Sequence, residues 1–152
     1  MTVEAPPTVA APGRPAPLPW LLRRVNRRYR DAIGSRMAGS GLGGLPVPGY
    51  WALMVLAEGG TEAGRLQREL GVSKQAVSKL VDTLVVAGLV DRHTNRSDRR
   101  KTDLVLTARG RTAAGLIEDA VVDTQASFVA EVGAEAFTRL VETLERLGGR
   151  EG

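Results

Sequence analysis

The sequence predicts a mainly α-helical chain with one small β-hairpin, an α+β class fold in which the hairpin stands out from a helical body. Three observations predict it. Apolar residues recur at three- and four-residue steps in six segments. Two β-prone runs, 89–92 and 102–107, bracket one polar, basic stretch. Gly and Pro punctuate the ends of these segments.

Residues 1–19 hold six prolines among alanines and too little apolar surface to fold, so a disordered arm is expected. The first helix spans 20–37, with Leu22, Val25, Tyr29, Ala32, Ile33 and Met37 on one stripe and arginines on the other faces. Residues 39–46, GSGLGGLP, break it. The spacing of Gly39, Gly41 and Gly44 is that of a dinucleotide fingerprint, but a basic helix precedes it and prolines follow it. The fingerprint needs a buried strand before and a helix directly after, so the segment reads as an inter-helix loop.

A second helix runs from Pro48 to Ala57 and stops at Gly59-Gly60. A third extends from Thr61, read as its N-cap, to Leu70, and Gly71 ends it. The fourth opens at Ser73 and runs to about Ala87. Its inward set is Ala76, Val77, Leu80, Val81, Leu84 and Val85; its outward set is Lys74, Gln75, Ser78, Lys79, Asp82 and Thr83. The hairpin follows, with residues 94–101 as its tip. Thr107 caps a fifth helix, in which Gly110 and Gly115 each cost about 1 kcal/mol relative to Ala. A sixth covers 134–147, and residues 148–152 are read as a disordered tail.

Composition narrows the function classes. The chain has 152 residues, 43% of them hydrophobic and 25% charged, as in an ordinary globular protein. It has no Cys, which excludes disulfides, thiol redox chemistry and thiolate metal sites. The single His93 offers no His-pair zinc motif, and no nucleophile sits beside a base, so neither a catalytic residue, a metal nor a cofactor is expected. No apolar run is long enough for a bilayer and no secretory signal opens the chain, so a cytoplasmic location without a membrane partner is expected. Charge is uneven. Residues 65–101 carry nine Lys or Arg against four acids, and residues 20–36 carry six against one. Residues 102–152 reverse the balance, with five against nine. Such polarity suits a polyanionic partner.

The third and fourth helices, joined at Gly71, form a helix-turn-helix. The fourth presents Ser73, Lys74, Gln75, Ser78 and Lys79, types that bond phosphates and base edges in a major groove. The hairpin tip gathers Arg96, Arg99 and Arg100, suited to a minor groove, with Asp98 placed to pair with an arginine and brace the tip. The alternative is a winged-helix module that binds protein or RNA without operator specificity.

The run LQRELGVSKQAVSKLVDTLVVAGLVDRHTNRSDRRKTDLVLTARG resembles the core of the MarR family of bacterial regulators. The helix-ending AGLV, the wing DRR and the closing LT-x-x-G carry the resemblance, which extends over about 20–147 through the order of helices. It implies one domain: a winged helix-turn-helix DNA-binding lobe at 47–107, and a helical dimerisation region at 20–46 and 108–147. It implies a homodimer on double-stranded DNA, probing a pseudo-palindromic operator, most readily as a repressor. Asp98 would brace the wing and Arg100 would insert at its tip. It also implies a small-molecule effector, often phenolic or anionic. Tyr29, Trp51 and Met54 are candidate walls of an effector pocket, or core residues.

Overall fold

The computed structural model describes residues 17–59 and 61–149. Helix α1 (Leu18–Gly39) is followed by α2 (Val47–Ala57), β1 (Thr61–Glu62), α3 (Ala63–Leu70), α4 (Lys74–Val86), β2 (Val90–Thr94), β3 (Thr102–Leu106), α5 (Ala108–Val132) and α6 (Ala134–Gly148). The expected arm at 1–16, the tail at 150–152 and Gly60 lie outside the described residues. Leu18 and Pro19, assigned to the arm, belong to α1 instead; proline suits a first helical turn, where its missing N–H would have no partner anyway. Gly148 likewise closes α6 rather than opening a tail. Among the described residues no helix is long and apolar enough to cross a membrane, and no group of carboxylates and His is arranged to hold a metal.

The main correction is at Thr61. It is not an N-cap but half of a two-residue strand, paired antiparallel to β3 with Thr61 opposite Leu104. Glu62 takes the cap position of α3 and makes no side-chain cap bond. The hairpin therefore supplies two strands of a three-stranded sheet in the order β1-β3-β2, with β3 central. Pairing in the hairpin runs from Val90–Leu106 to Thr94–Thr102.

The core gathers where α1, α2, α4 and α5 meet the sheet. Ile33, Met37, Leu53, Leu66, Leu84, Leu89, Leu104 and Ile117 are all buried there. From α4 it takes Val77, Leu80, Val81 and Leu84. Burial of such a side chain contributes about 1.5–3 kcal/mol. Ala76, assigned inward, is exposed: it sits in the first turn of α4 at the edge of the buried stripe, about 100° round the helix from Val77.

Thr107 ties the lobe to the long helix. Its hydroxyl accepts from Gly110 N at 2.9 Å and donates to the Gly88 carbonyl at 2.7 Å, while its own N–H bonds Leu89 O at 3.0 Å. Gly110 lies so close to the same backbone that a Cβ would sit 1.9 Å from Leu89 O. Gly115, one and a half turns on, faces open space. The two glycines of α5 thus differ in kind.

Far from this junction, Arg28 on α1 grips α5. Its guanidinium donates to both carboxylate oxygens of Glu131, one at 2.9 Å, and to Ser127 Oγ at 3.2 Å. It also lies 4.3 Å from the Phe128 ring centroid. The bonds from Arg28 hold the Glu131 carboxyl below its ordinary range. A carboxyl depressed by folding stabilises the fold above its unfolded pKa, and that contribution fades as pH falls through the folded value.

Two apolar faces remain exposed. On α1, only Ile33 and Met37 of the expected stripe are buried, and Leu18, Leu21, Leu22 and Val25 lie open. On α6 no residue is buried, and Leu140, Val141 and Leu147 are exposed.

Gly110→Ala should lower stability by several kcal/mol, because a backbone atom must move to admit the methyl. Gly115→Ala should raise it by up to about 1 kcal/mol. Thermal or urea unfolding of the two variants checks the opposite signs.

Candidate nucleic-acid interface

Ser73 starts α4 by accepting from Ala76 N at 3.2 Å. This cap fixes where the helix begins and is worth about 1 kcal/mol. Gly71, at φ 61°, makes the left-handed turn that ends α3 and lets the chain re-enter a helix three residues later. Because Val77, Leu80, Val81 and Leu84 anchor the back of α4, its front is set. Ser73, Lys74, Gln75, Ser78 and Lys79 are all exposed, and among the described residues neither lysine is in an ion pair.

The hairpin rises beside that front. Lys74 and Ser78 share a cleft of about 440 Å³ with Asp82, Arg92 and Thr102, so the helix face and the hairpin base open to the same side. Arg92 on β2 bonds Asp82 on α4 at 2.6 Å and pins one to the other. At the far edge, Lys101 bonds Glu62 at 2.9 Å, which raises the lysine pKa and holds β1 against the hairpin. Sequence reasoning assigned no role to Arg92, Asp82, Lys101 or Glu62. Their partners are 10 and 39 residues apart, beyond any local pattern.

The tip is organised by Asn95, which was also missed. Its Oδ1 accepts from Ser97 N at 2.8 Å and Asp98 N at 2.9 Å. Its Nδ2 donates to both carboxylate oxygens of Asp103, at 3.0 and 3.1 Å. The signal was present: Asn two residues before a polar turn forms such side-chain-closed loops. Asp98 is in no ion pair among the described residues; its bonds go to the backbone of the tip. Its Oδ1 accepts from the backbone N–H of Arg100 at 3.0 Å, and its carbonyl accepts from Lys101 N at 2.9 Å. Arg96, Arg99 and Arg100 are exposed, and among the described residues none is in an ion pair. His93 is exposed on β2.

The three candidate effector residues separate. Trp51 and Met54 line one cleft with Leu70 and Glu118. Tyr29 is not in that lining; its ring meets Phe128 edge-on at 5.3 Å, and Phe128 lies 6.4 Å from Phe137.

Asn95→Ala should free the tip without unfolding the chain. We expect the amides of Ser97 and Asp98 to exchange with solvent at least tenfold faster, while those of Leu84 and Leu104 keep their protection. Hydrogen exchange resolved by NMR measures both.

Comparison with known proteins bears on most of the chain. Residues 43–101 match the MarR family profile. The chain is 31% identical over 134 residues to the HTH-type transcriptional repressor Rv2887 of Mycobacterium tuberculosis, covering 88% of this chain and 94% of that protein. The crystal structure of Rv2887 with p-aminosalicylic acid superposes with a TM-score of 0.63 at 30% identity, over 88% of this chain and 100% of that one. A mutant MarR from E. coli complexed with operator DNA has a TM-score of 0.72 at 20% identity, over 86% and 93% of the two chains, and shows a shared fold. The wing, the capped fourth helix and a near-full-length relative agree: the chain belongs to the MarR family.

Proposed function

We propose that the chain is a transcriptional regulator that binds double-stranded DNA as a homodimer and acts as a repressor. The observation that carries this is the cleft that Lys74 and Ser78 on the exposed face of α4 share with Arg92 and Thr102 of the hairpin, whose tip carries Arg96, Arg99 and Arg100. An α-helix fits the major groove, and arginine suits the negative potential of a narrow minor groove. In this reading Gln75 and Ser78 meet base edges. Ser73, Lys74 and Lys79 meet phosphates, and Arg99, Arg100 and Arg96 follow the adjacent minor groove and backbone. Asp98 and Asn95 hold the tip in shape for them.

The exposed stripes of α1 and α6 support the dimer. Isolated exposed apolar residues are ordinary, but contiguous stripes on two helices mark an association surface. In a two-fold dimer, α4 and its copy would lie about 34 Å apart and read a pseudo-palindrome. A dimer seated on a promoter blocks polymerase by occupancy. A small molecule that prefers a dimer with misplaced α4 helices would release DNA by as much as its affinities for the two states differ. That Rv2887 is described with p-aminosalicylic acid supports such control here.

The test is duplex selection from a random pool, followed by titration against the selected duplex and an RNA of the same sequence. Preference for the duplex, with two half-sites about one helical turn apart, is expected. Equal affinity for the RNA, or a monomer by sedimentation, would refute the proposal. Arg100→Ala should weaken binding by about 1–2 kcal/mol, roughly 5- to 30-fold, with the dimer intact. Gln75→Ala should blur base preference at one position more than it lowers affinity. Lys79→Ala should weaken all sequences alike and reduce the salt slope by about one.

A further inference from the structure

The cleft that holds Trp51 and Met54 lies where α2 and α3 end against the flank of α5, and measures about 410 Å³. Trp51, Met54, Val55 and Leu70 give it apolar walls. Glu58, Glu69 and Glu118 supply the charge, and no Lys, Arg or His lines it among the described residues. Arg65 reaches two of these carboxylates from α3, Glu58 at 3.1 Å and Glu69 at 3.6 Å. Glu118 is in no ion pair among the described residues. Three carboxylates stand against one guanidinium, so the cleft is negative by about two charges.

We propose that this cleft binds a cationic aromatic small molecule, and that its ligand class is opposite in charge to an aromatic acid. The ring would lie along Trp51 and Met54, and the ammonium would be met by Glu118 and the indole. An indole face attracts a cation through its quadrupole, and a carboxylate beside it adds direct Coulomb attraction. A carboxylate ligand such as p-aminosalicylic acid would instead bring a fourth negative charge to three. The proposal deepens the effector reading above and rests on it for its regulatory meaning, though binding itself is measured without DNA.

Isothermal titration calorimetry on the full chain should compare 1-naphthylmethylammonium with 1-naphthoate, which share a ring and differ in charge. The ammonium should bind at least tenfold tighter. Glu118→Gln should cut that preference at least threefold while the thermal melt stays unchanged. Glu142→Gln, on α6, should leave the preference intact. Naphthoate binding as tightly, no binding of the ammonium at 1 mM, or equal loss in the two variants would each overturn the proposal. Addition of the ammonium to the protein–duplex complex then reads control separately. Release of the duplex supports an effector role, and undiminished duplex binding despite ammonium binding overturns that role but not the ligand class.

Discussion

The close approach of Gly110 to the Leu89 carbonyl is the constraint on which the rest of the arrangement depends. Leu89 lies between the end of α4 and the start of β2; Gly110 lies in the first turn of α5. Thr107 closes the same knot from the end of β3. Four elements therefore converge within a few ångströms, and each inherits its direction from the others. The apolar back of α4 then decides its rotation, and the exposed Arg92–Asp82 bond adds a surface tie between it and the hairpin. The exposed cationic groups need no strong partners of their own, because they are carried by groups that have them.

What could be read from sequence was whatever has a period or a local cap. The six helices, the hairpin strands, the Ser73 cap and the Thr107 cap all leave such marks. Thr61 misled because Thr before a helical pattern resembles a cap, and two residues are too few to show strand alternation. What decided the matter was pairing with Leu104, far along the chain. Ala76 misled because alanine fits either side of an amphipathic helix. The grouping of Tyr29 with Trp51 and Met54 failed for a different cause. Aromatic type suggests a pocket but not which one, and Tyr29 went to Phe128 on α5. The charge of the remaining cleft comes from Glu58, Glu69 and Glu118, on three elements, and no linear scan would join them.

Charge is partitioned along the fold as well as along the chain. Among the described residues the lysines of α4 and the arginines of the tip are in no ion pair, nor are Arg23, Arg24, Arg27 and Arg30 of α1, whereas the acids of α5 are largely engaged: Asp119 and Asp123 with Arg36, and Glu131 with Arg28. These pairs are exposed and each is worth little alone. Their effect is to tie two of the α1 arginines, Arg28 and Arg36, to α5 within the helical region.

Helix α5 has 25 residues, so it is a rod about 37 Å long. One end is clamped at Gly110 beside the hairpin; the other carries Phe128 and Glu131 beside α1. Such a rod behaves as a lever rather than a spring. A tilt of about five degrees at one end displaces the other by about 3 Å, enough to move a guanidinium out of hydrogen-bond reach. The cleft beside Glu118 lies partway along it, so a displacement there is magnified about two- to threefold at the Glu131 end.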